Sequence, residues 1–190
     1  MKSINLNFVL VPFRASPPMP VPIAAPISLI EGIATRNNAQ LNLEFRFPHS
    51  SSVLISDPVL DPERRSGLWE STCFECFIGL AGSDQYLECN ISPAGHWQAF
   101  EFESYRKLPN ISKVLTVTGS YRPEPSGLFI MRCKVDINHP RFVTKDWHIS
   151  PTAVLADQSG DLHYYSNAHP TAKPDFHLAE QRTLVVPFVR

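Results

Sequence analysis

Thr72-Cys73-Phe74-Glu75-Cys76-Phe77-Ile78-Gly79-Leu80 and Tyr86-Leu87-Glu88-Cys89-Asn90-Ile91-Ser92, joined through Gly82-Ser83-Asp84, decide how this chain is read. Successive side chains of a strand point to opposite faces. Phe74, Cys76, Ile78 and Leu80 therefore share one face of the first strand, and Cys73, Glu75 and Phe77 share the other. In the second strand Leu87, Cys89 and Ile91 are apolar, while Tyr86, Glu88, Asn90 and Ser92 point the opposite way. A third strand, Trp97 to Glu103, follows a turn at Pro93-Ala94-Gly95. Its Phe100 and Phe102 are assigned to the apolar face, and Trp97, Ala99 and Glu101 to the other. Short connections make the three strands antiparallel neighbours. Their second faces gather Glu75, Phe77, Tyr86, Glu88, Asn90, Trp97 and Glu101 in one patch. Rings can stack on the apolar side of a pyranose while carboxylates and amides pair with its hydroxyls. An antiparallel sheet can also simply show a polar face to water. This face differs from an ordinary wet one in carrying acids and large aromatics, with no Lys between Glu70 and Tyr105.

Period-two alternation continues outward on both sides. Leu41, Leu43, Phe45 and Phe47 alternate with Asn42, Glu44 and Arg46, the pattern of a half-buried strand. Before it, Ile27 to Arg36 carries a possible helix capping box at Ser28 and Glu31. It is read as a strand turning at Asn37-Asn38. Further strands are expected at Val114–Tyr121, Leu128–Ile137, Ile149–Ala156, Leu162–Ala168 and Arg182–Val189. Only Pro58 to Arg65 invites a short helical turn. About ten strands at this spacing imply a sandwich or barrel. Six of the eighteen prolines lie between Pro12 and Pro26, so residues 1–26 read as a strand followed by an extended strap. The whole chain, 1–190, reads as one domain.

Composition narrows the function classes. Seventeen Lys and Arg against eighteen Asp and Glu leave a net charge of -1. No basic excess is present to neutralise phosphates or grip an anionic membrane surface. Met1 to Val11 makes a poor secretory signal. No run approaches the ~20 apolar residues of a membrane-spanning helix. Cys73, Cys76, Cys89 and Cys133 then read as reduced thiols of a cytoplasmic protein. Cys73 and Cys76 form a Cys-x-x-Cys, but on a strand the two thiols face opposite ways, unlike a redox pair at a helix N-terminus.

A second candidate set lies near the C-terminus. His163, Tyr165, Asn167 and His169 alternate along one strand face, and Lys173, Asp175 and His177 follow in a proline-pinned loop. Imidazole and carboxylate groups can bind metal, but their spacing matches no established ligand motif. Hydrogen bonds holding the loop to the sheet, or contact with a ligand, fit better. Glu75 and Glu88 could also serve as the acid pair of a glycosidase, whose carboxyls sit roughly 5–10 Å apart. No nucleophile elbow, phosphate loop or dinucleotide fingerprint is present.

Leu68-Trp69-Glu70-Ser71-Thr72-Cys73-Phe74-Glu75-Cys76-Phe77 and Tyr86-Leu87-Glu88-Cys89-Asn90-Ile91-Ser92-Pro93-Ala94-Gly95-His96-Trp97 resemble the DOMON-like family. So do Ser104-Tyr105-Arg106 and the segment from His169-Pro170 to Pro174-Asp175-Phe176-His177. That family is similar to family 9 carbohydrate-binding modules and to haem-binding DOMON domains. The resemblance implies an immunoglobulin-like or jelly-roll β-sandwich of two antiparallel sheets with few or no helices. It also implies sugar or haem binding rather than catalysis. By position, Trp69, Glu75, Glu88, Asn90 and Trp97 match its central block, and His169, Lys173, Asp175 and His177 its terminal block. Sugar modules of this type hold the sugar between two tryptophans, here Trp69 and Trp97, and bind structural calcium, for which Asp57, Asp61 and Glu63 are available. Met131, a conceivable haem ligand, shares an apolar face with Phe129 and Cys133 and reads as core.

The expected function is non-catalytic binding of a saccharide or similar polyhydroxylated ligand, with no obligatory cofactor. The expected contacts are Trp69, Glu75, Tyr86, Glu88, Asn90, Trp97, Glu101, His163, Tyr165, His169, Lys173, Asp175 and His177. Two alternatives stand beside it. One is a metal-assisted or acid–base enzyme built from His163, His169, Asp175, His177 and Glu88; the other is haem binding.

Overall fold

The computed structural model describes residues 4–14, 25–107 and 109–188. The strands are β1 (Ile4–Pro12), β2 (Ile30–Asn37), β3 (Gln40–Pro48), β4 (Cys73–Gly79), β5 (Tyr86–Ile91) and β6 (Trp97–Phe102), then β7 (Asn110–Ile111), β8 (Leu115–Pro123), β9 (Leu128–Ile137), β10 (Trp147–Ala156), β11 (Leu162–Ser166) and β12 (Leu184–Val186). Every pairing between these strands is antiparallel. One sheet runs β1-β2-β3-β9-β8; the other runs β7-β6-β5-β4-β10-β11, with β12 also on β10. β1 joins them: Ile4 to Leu10 pair with β2, and Val11 and Pro12 pair with β11. The result is an all-β sandwich whose two sheets curl into one another along β1. Among the described residues, no helix is long and apolar enough to cross a membrane.

The expected strands are present, with edges moved by a few residues. The β2–β3 turn falls at Asn38-Ala39, one residue later than expected, because Asn38 takes the left-handed conformation (φ 53°) and Asn37 pairs with Gln40. No helical turn forms at Pro58 to Arg65. That segment bends at Leu60 and Asp61, and Arg64 then bridges Trp97 in parallel fashion; a short 3-10 turn appears instead at Leu68–Glu70. Most of the proline-rich strap lies outside the described residues.

Alternation puts one face of each sheet into a shared core. Phe74 of β4 packs against Phe45 of β3 (5.0 Å between ring centroids) and Phe129 of β9 (5.7 Å), and Phe129 stacks on Phe47 and Tyr121. Met131 and all four free cysteines are buried, and Met131 lies in this core, as its strand face predicts. Arg36 closes one end. Its guanidinium lies 3.5 Å from the centroid of Trp147 and donates to the carbonyls of Asn38, Val143, Lys145 and Val186. This ties β2 to β12 and the segment before β10.

At the opposite edge β8 leans on β5, and Gly119 permits the approach. A Cβ there would sit 2.2 Å from Ile91 Cδ1 and 3.0 Å from the Arg132 carbonyl. Overpacking of this kind costs about 1–3 kcal/mol. Gly119→Ala is expected to lower the unfolding free energy by that amount in urea titrations. Adding Ile91→Val should leave Gly119→Ala less harmful than it is in the wild-type background. Strict additivity of the two substitutions would show that the clash is not with Ile91.

Candidate functional site

The outer face of the second sheet is where the sequence-predicted patch must lie. Register fixes which side chains share it. Thr152, Glu75, Asn90 and Gln98 form one lateral row, and Ser150, Phe77, Glu88 and Phe100 form the next. Tyr86 and Phe102 pair beyond them, and Val154 pairs with both Cys73 and Tyr164. A bare sheet face would be wet; this one is roofed. The 3-10 turn at Leu68–Glu70, the segment around Arg106 and the segment from Pro174 to His177 fold over it. Phe176 reaches down to join Phe77, Tyr86, Phe102 and Val154 in a second small core. Between roof and sheet remains a recess of about 690 Å³, within the range of small-molecule sites.

Its floor carries Glu75 and Glu88, each only 5% exposed. Its walls are Trp69, Phe77, Phe100, Phe102, Tyr164 and Phe176. Trp69, 40% exposed, leans toward Phe100 with ring centroids 6.2 Å apart. Thr152 Oγ1 donates to Glu75 Oε2 at 3.4 Å, and Asn90 Nδ2 donates to Glu88 Oε1 at 2.7 Å. Among the described residues neither acid forms an ion pair with Lys or Arg. Burial, then the neighbouring Glu88 charge, pushes the Glu75 carboxyl up to about 8. Burial pushes Glu88 up to about 7, against the pull of Asn90 and Arg106.

The roof is fastened through hydrogen bonds. Arg106 holds a left-handed backbone (φ 52°), unusual for a non-glycine residue. Its N–H donates to the Tyr86 phenol oxygen at 3.2 Å, and its guanidinium donates to Asp175 Oδ1 at 3.0 Å. Tyr105 also donates to Asp175. The Tyr86 hydroxyl meets His177 Nδ1 at 2.8 Å. Burial, followed by the Arg106 charge, lowers the His177 pKa to about 4. With the Tyr86 oxygen accepting from Arg106 N–H, the phenol can donate its hydrogen bond to Nδ1 of the neutral ring, which places the ring proton on Nε2. Tyr86 is fully buried and stacks on Phe102 at 4.6 Å; it braces the site from behind.

Of the sequence-predicted residues, Trp69, Glu75, Glu88 and His177 line the recess. Tyr86, Asn90 and Asp175 support it. The others lie elsewhere. Trp97 pairs with Ile91 and Glu101 with Leu87, so both are on the core side of the sheet rather than the recess side. The guanidinium of Arg64 covers the Trp97 ring at 4.1 Å. Trp69 therefore faces Phe100, not a second tryptophan. His163 and Tyr165 also point inward. His163 Nε2 meets Asp157 Oδ2 at 2.8 Å, pinning the β10–β11 turn, and Tyr165 bonds the backbone of Ile27. The late-strand face toward the recess is instead Leu162 and Tyr164. His169 bonds the Val11 carbonyl at 2.9 Å, and Lys173 is exposed. Among the described residues no three His, Cys, Asp or Glu side chains converge on a metal position. Asp57, Asp61 and Glu63 lie exposed along their loop. Cys73 shares the strand face of Glu75 but does not line the recess; it is fully buried, its thiol pushed up by burial and the two nearby acids.

Phe100, Phe102, Tyr164, Phe176 and Arg106 were not among the predicted contacts. Turn lengths held the signal for three of them. Pro93-Ala94-Gly95 is a three-residue loop, with Gly95 at φ 95° and Ser92 N–H bonded to the His96 carbonyl. Counting back from it pairs Glu88 with Phe100. The same count across Asp157 to Asp161 pairs Val154 with Tyr164.

A second concavity of about 590 Å³ lies on the outer face of the first sheet, lined by Asn42, Glu44, Arg46, Thr118, Ser120 and Arg132 among others. Its acid, Glu44, is neutralised by Arg46 and Arg132, and no ring lines it.

No protein-family model matches the sequence, and no curated protein is similar to it in sequence. Among solved structures the fold is similar to that of a candidate carbohydrate-binding protein from Bacteroides uniformis ATCC 8492. The TM-score is 0.59 at 15% identity, over 84% of this chain and 78% of that chain. At this identity the likeness is one of fold.

The buried acids make stability depend on pH. Their pKa values are raised on folding, so their contribution is fully present below the ordinary carboxylate value of 4.5 and is lost as pH climbs through about 7 and about 8. Glu75→Gln removes most of this loss. His177, lowered to about 4 on folding, is present in both proteins, so its own titration cancels in the comparison. Between pH 6.5 and 8.5 the variant should gain on the wild type by about 2 kcal/mol, or roughly 5 °C in Tm. Parallel melting curves across that interval would show that no charge is being buried.

Proposed function

We propose that this protein is a non-catalytic binding module for a small polyhydroxylated ligand, a saccharide, held in the recess over Glu75 and Glu88. The observation that carries the reading is one cavity with hydrogen-bonding acids at its floor and six aromatic rings around it. Rings offer apolar area to the C–H faces of a pyranose, and the carboxyls accept from its hydroxyls. The fold likeness to a candidate carbohydrate-binding protein supports this reading, as does the sequence resemblance to the DOMON-like family and family 9 carbohydrate-binding modules.

Binding is favoured over hydrolysis on electrostatic grounds. A glycosidase needs its two acids pushed apart in pKa, one protonated and one ionised, on either side of the bond to be broken. Here both are pushed upward and both sit on the same floor, on adjacent strands. Four buried, unpaired cysteines suit a reducing compartment, so we place the activity in the cytoplasm.

A thermal-shift panel of neutral and amino monosaccharides and short oligosaccharides tests the proposal. A ligand at 100 times its Kd adds about 2.7 kcal/mol, several degrees of Tm for a chain of this size. Trp69→Ala and Phe100→Ala should abolish the shift while leaving the unliganded Tm within a few degrees of wild type. A panel without any saccharide shift removes the proposal.

A further inference from the structure

We infer that the ligand carries a protonated amine, seated between Glu75 and Glu88 beneath the aromatic wall, so that the saccharide is an amino sugar. This rests on the saccharide reading above and narrows it.

The argument starts from what the two acids lack. An ionised carboxylate has two oxygens and about four lone-pair positions. The protein supplies one donor to each: Thr152 to Glu75 Oε2 and Asn90 to Glu88 Oε1. Glu75 Oε1 and Glu88 Oε2 have no hydrogen-bond donor among the described residues; the nearest approach is His177 Nδ1, 4.0 Å from Glu88 Oε2. That separation is beyond hydrogen-bond reach, and the nitrogen is already engaged with the Tyr86 hydroxyl at 2.8 Å.

The basic groups nearby are committed elsewhere. Arg106 is bound to Asp175 at 3.0 Å. Arg182 lies over the Tyr86 ring at 4.8 Å and donates to the His177 carbonyl at 3.2 Å. The remaining titratable groups around the pair, Cys73, Tyr86 and Glu70, can bring no positive charge. Two buried acids on neighbouring strands thus stand open to a cavity whose one lining guanidinium, Arg106, is paired with Asp175 and not with either of them.

A neutral sugar would donate hydroxyls to these oxygens but leave the charge uncompensated, so the acids would stay protonated beneath it. An ammonium group supplies up to three N–H donors and the missing charge together. Rings around a desolvated cation add cation–π attraction. An anionic sugar would face like charge at the floor. The raised pKa values of Glu75 and Glu88 supply a second signature: a bound cation favours their ionised forms and must expel protons.

Isothermal titration calorimetry at pH 6.5 in two buffers of different ionisation enthalpy tests this on the full chain. The probes are glucosamine, galactosamine and mannosamine, each beside its parent hexose and N-acetyl derivative, with cyclohexylamine as a non-sugar amine. At least one hexosamine should bind tenfold or more tightly than both neutral partners, with an enthalpy that differs between buffers through proton release. Glu88→Gln and Glu75→Gln should each cut hexosamine affinity tenfold or more and reduce the proton release, while each variant still melts cooperatively. Equal affinity for hexosamine and hexose would overturn the inference and leave the saccharide reading standing. Cyclohexylamine binding as tightly as any hexosamine, with hexoses silent, would support the amine and remove the sugar. Failure of every amine to bind overturns the inference.

Discussion

Everything in the recess depends on Glu75 and Glu88 being held away from water without a counter-ion. Each pKa unit by which folding raises a carboxyl corresponds to about 1.4 kcal/mol at pH values above the shift. A domain has only about 5–15 kcal/mol of net stability to draw on. The sandwich can carry this load because the acids occupy one face of the second sheet while the opposite face of the same strands packs Phe74, Ile78, Leu87 and Ile91 into the principal core. A strand thus separates the two tasks by parity: even positions of β4 hold the fold, and odd positions of β4 build the site.

The roof matters as much as the floor. Without Phe176, Trp69 and the Arg106 segment, the outer face would be hydrated and the acids would return toward their ordinary pKa. Tyr86 is the joint between sheet and roof. Its ring is buried against Phe102, and its hydroxyl meets both the strained Arg106 backbone and His177. Left-handed backbone in a non-glycine residue persists only where surrounding contacts over-determine it. Here the phenol and Asp175 provide that constraint, and the result is a guanidinium fixed at the mouth of the recess.

Most of the architecture was legible in the sequence because alternation is a local property. The strands from Leu41 to Phe47 and from Leu128 to Ile137 need no partner to be recognised. The acidic floor was legible too, since β4 and β5 carry acids on the face opposite their aliphatic residues. Legibility failed at β6. The apolar character of Phe100 and Phe102 points them inward, and parity then sends Trp97, Ala99 and Glu101 outward. Register overrides composition here: cross-strand partners share a face, so Glu88 carries Phe100 with it. The same error placed His163 and Tyr165 in the site and left Tyr164 out. In an aromatic-walled recess, the rule that apolar residues face the core points the wrong way for the residues that matter. Phe176 and Arg106 could not be read from alternation, because they reach the site from loops whose course no periodicity encodes.

The contrast between the two concave faces gives the functional reading its physical basis. On the first sheet Glu44 is more exposed than either recess acid, and the chain still surrounds it with Arg46 and Arg132. On the second sheet two acids are almost completely buried, and the two arginines close by are directed to Asp175 and to the Tyr86 ring. If folding alone set the arrangement, cations would be expected where burial makes a bare charge most costly, not where water already screens it. A buried pair left without a cation beside an open cavity stores unfavourable free energy that a ligand can release. That energy is available only to a molecule presenting hydrogen-bond donors, and most fully to one presenting positive charge, so the floor selects by charge while the rings select by shape.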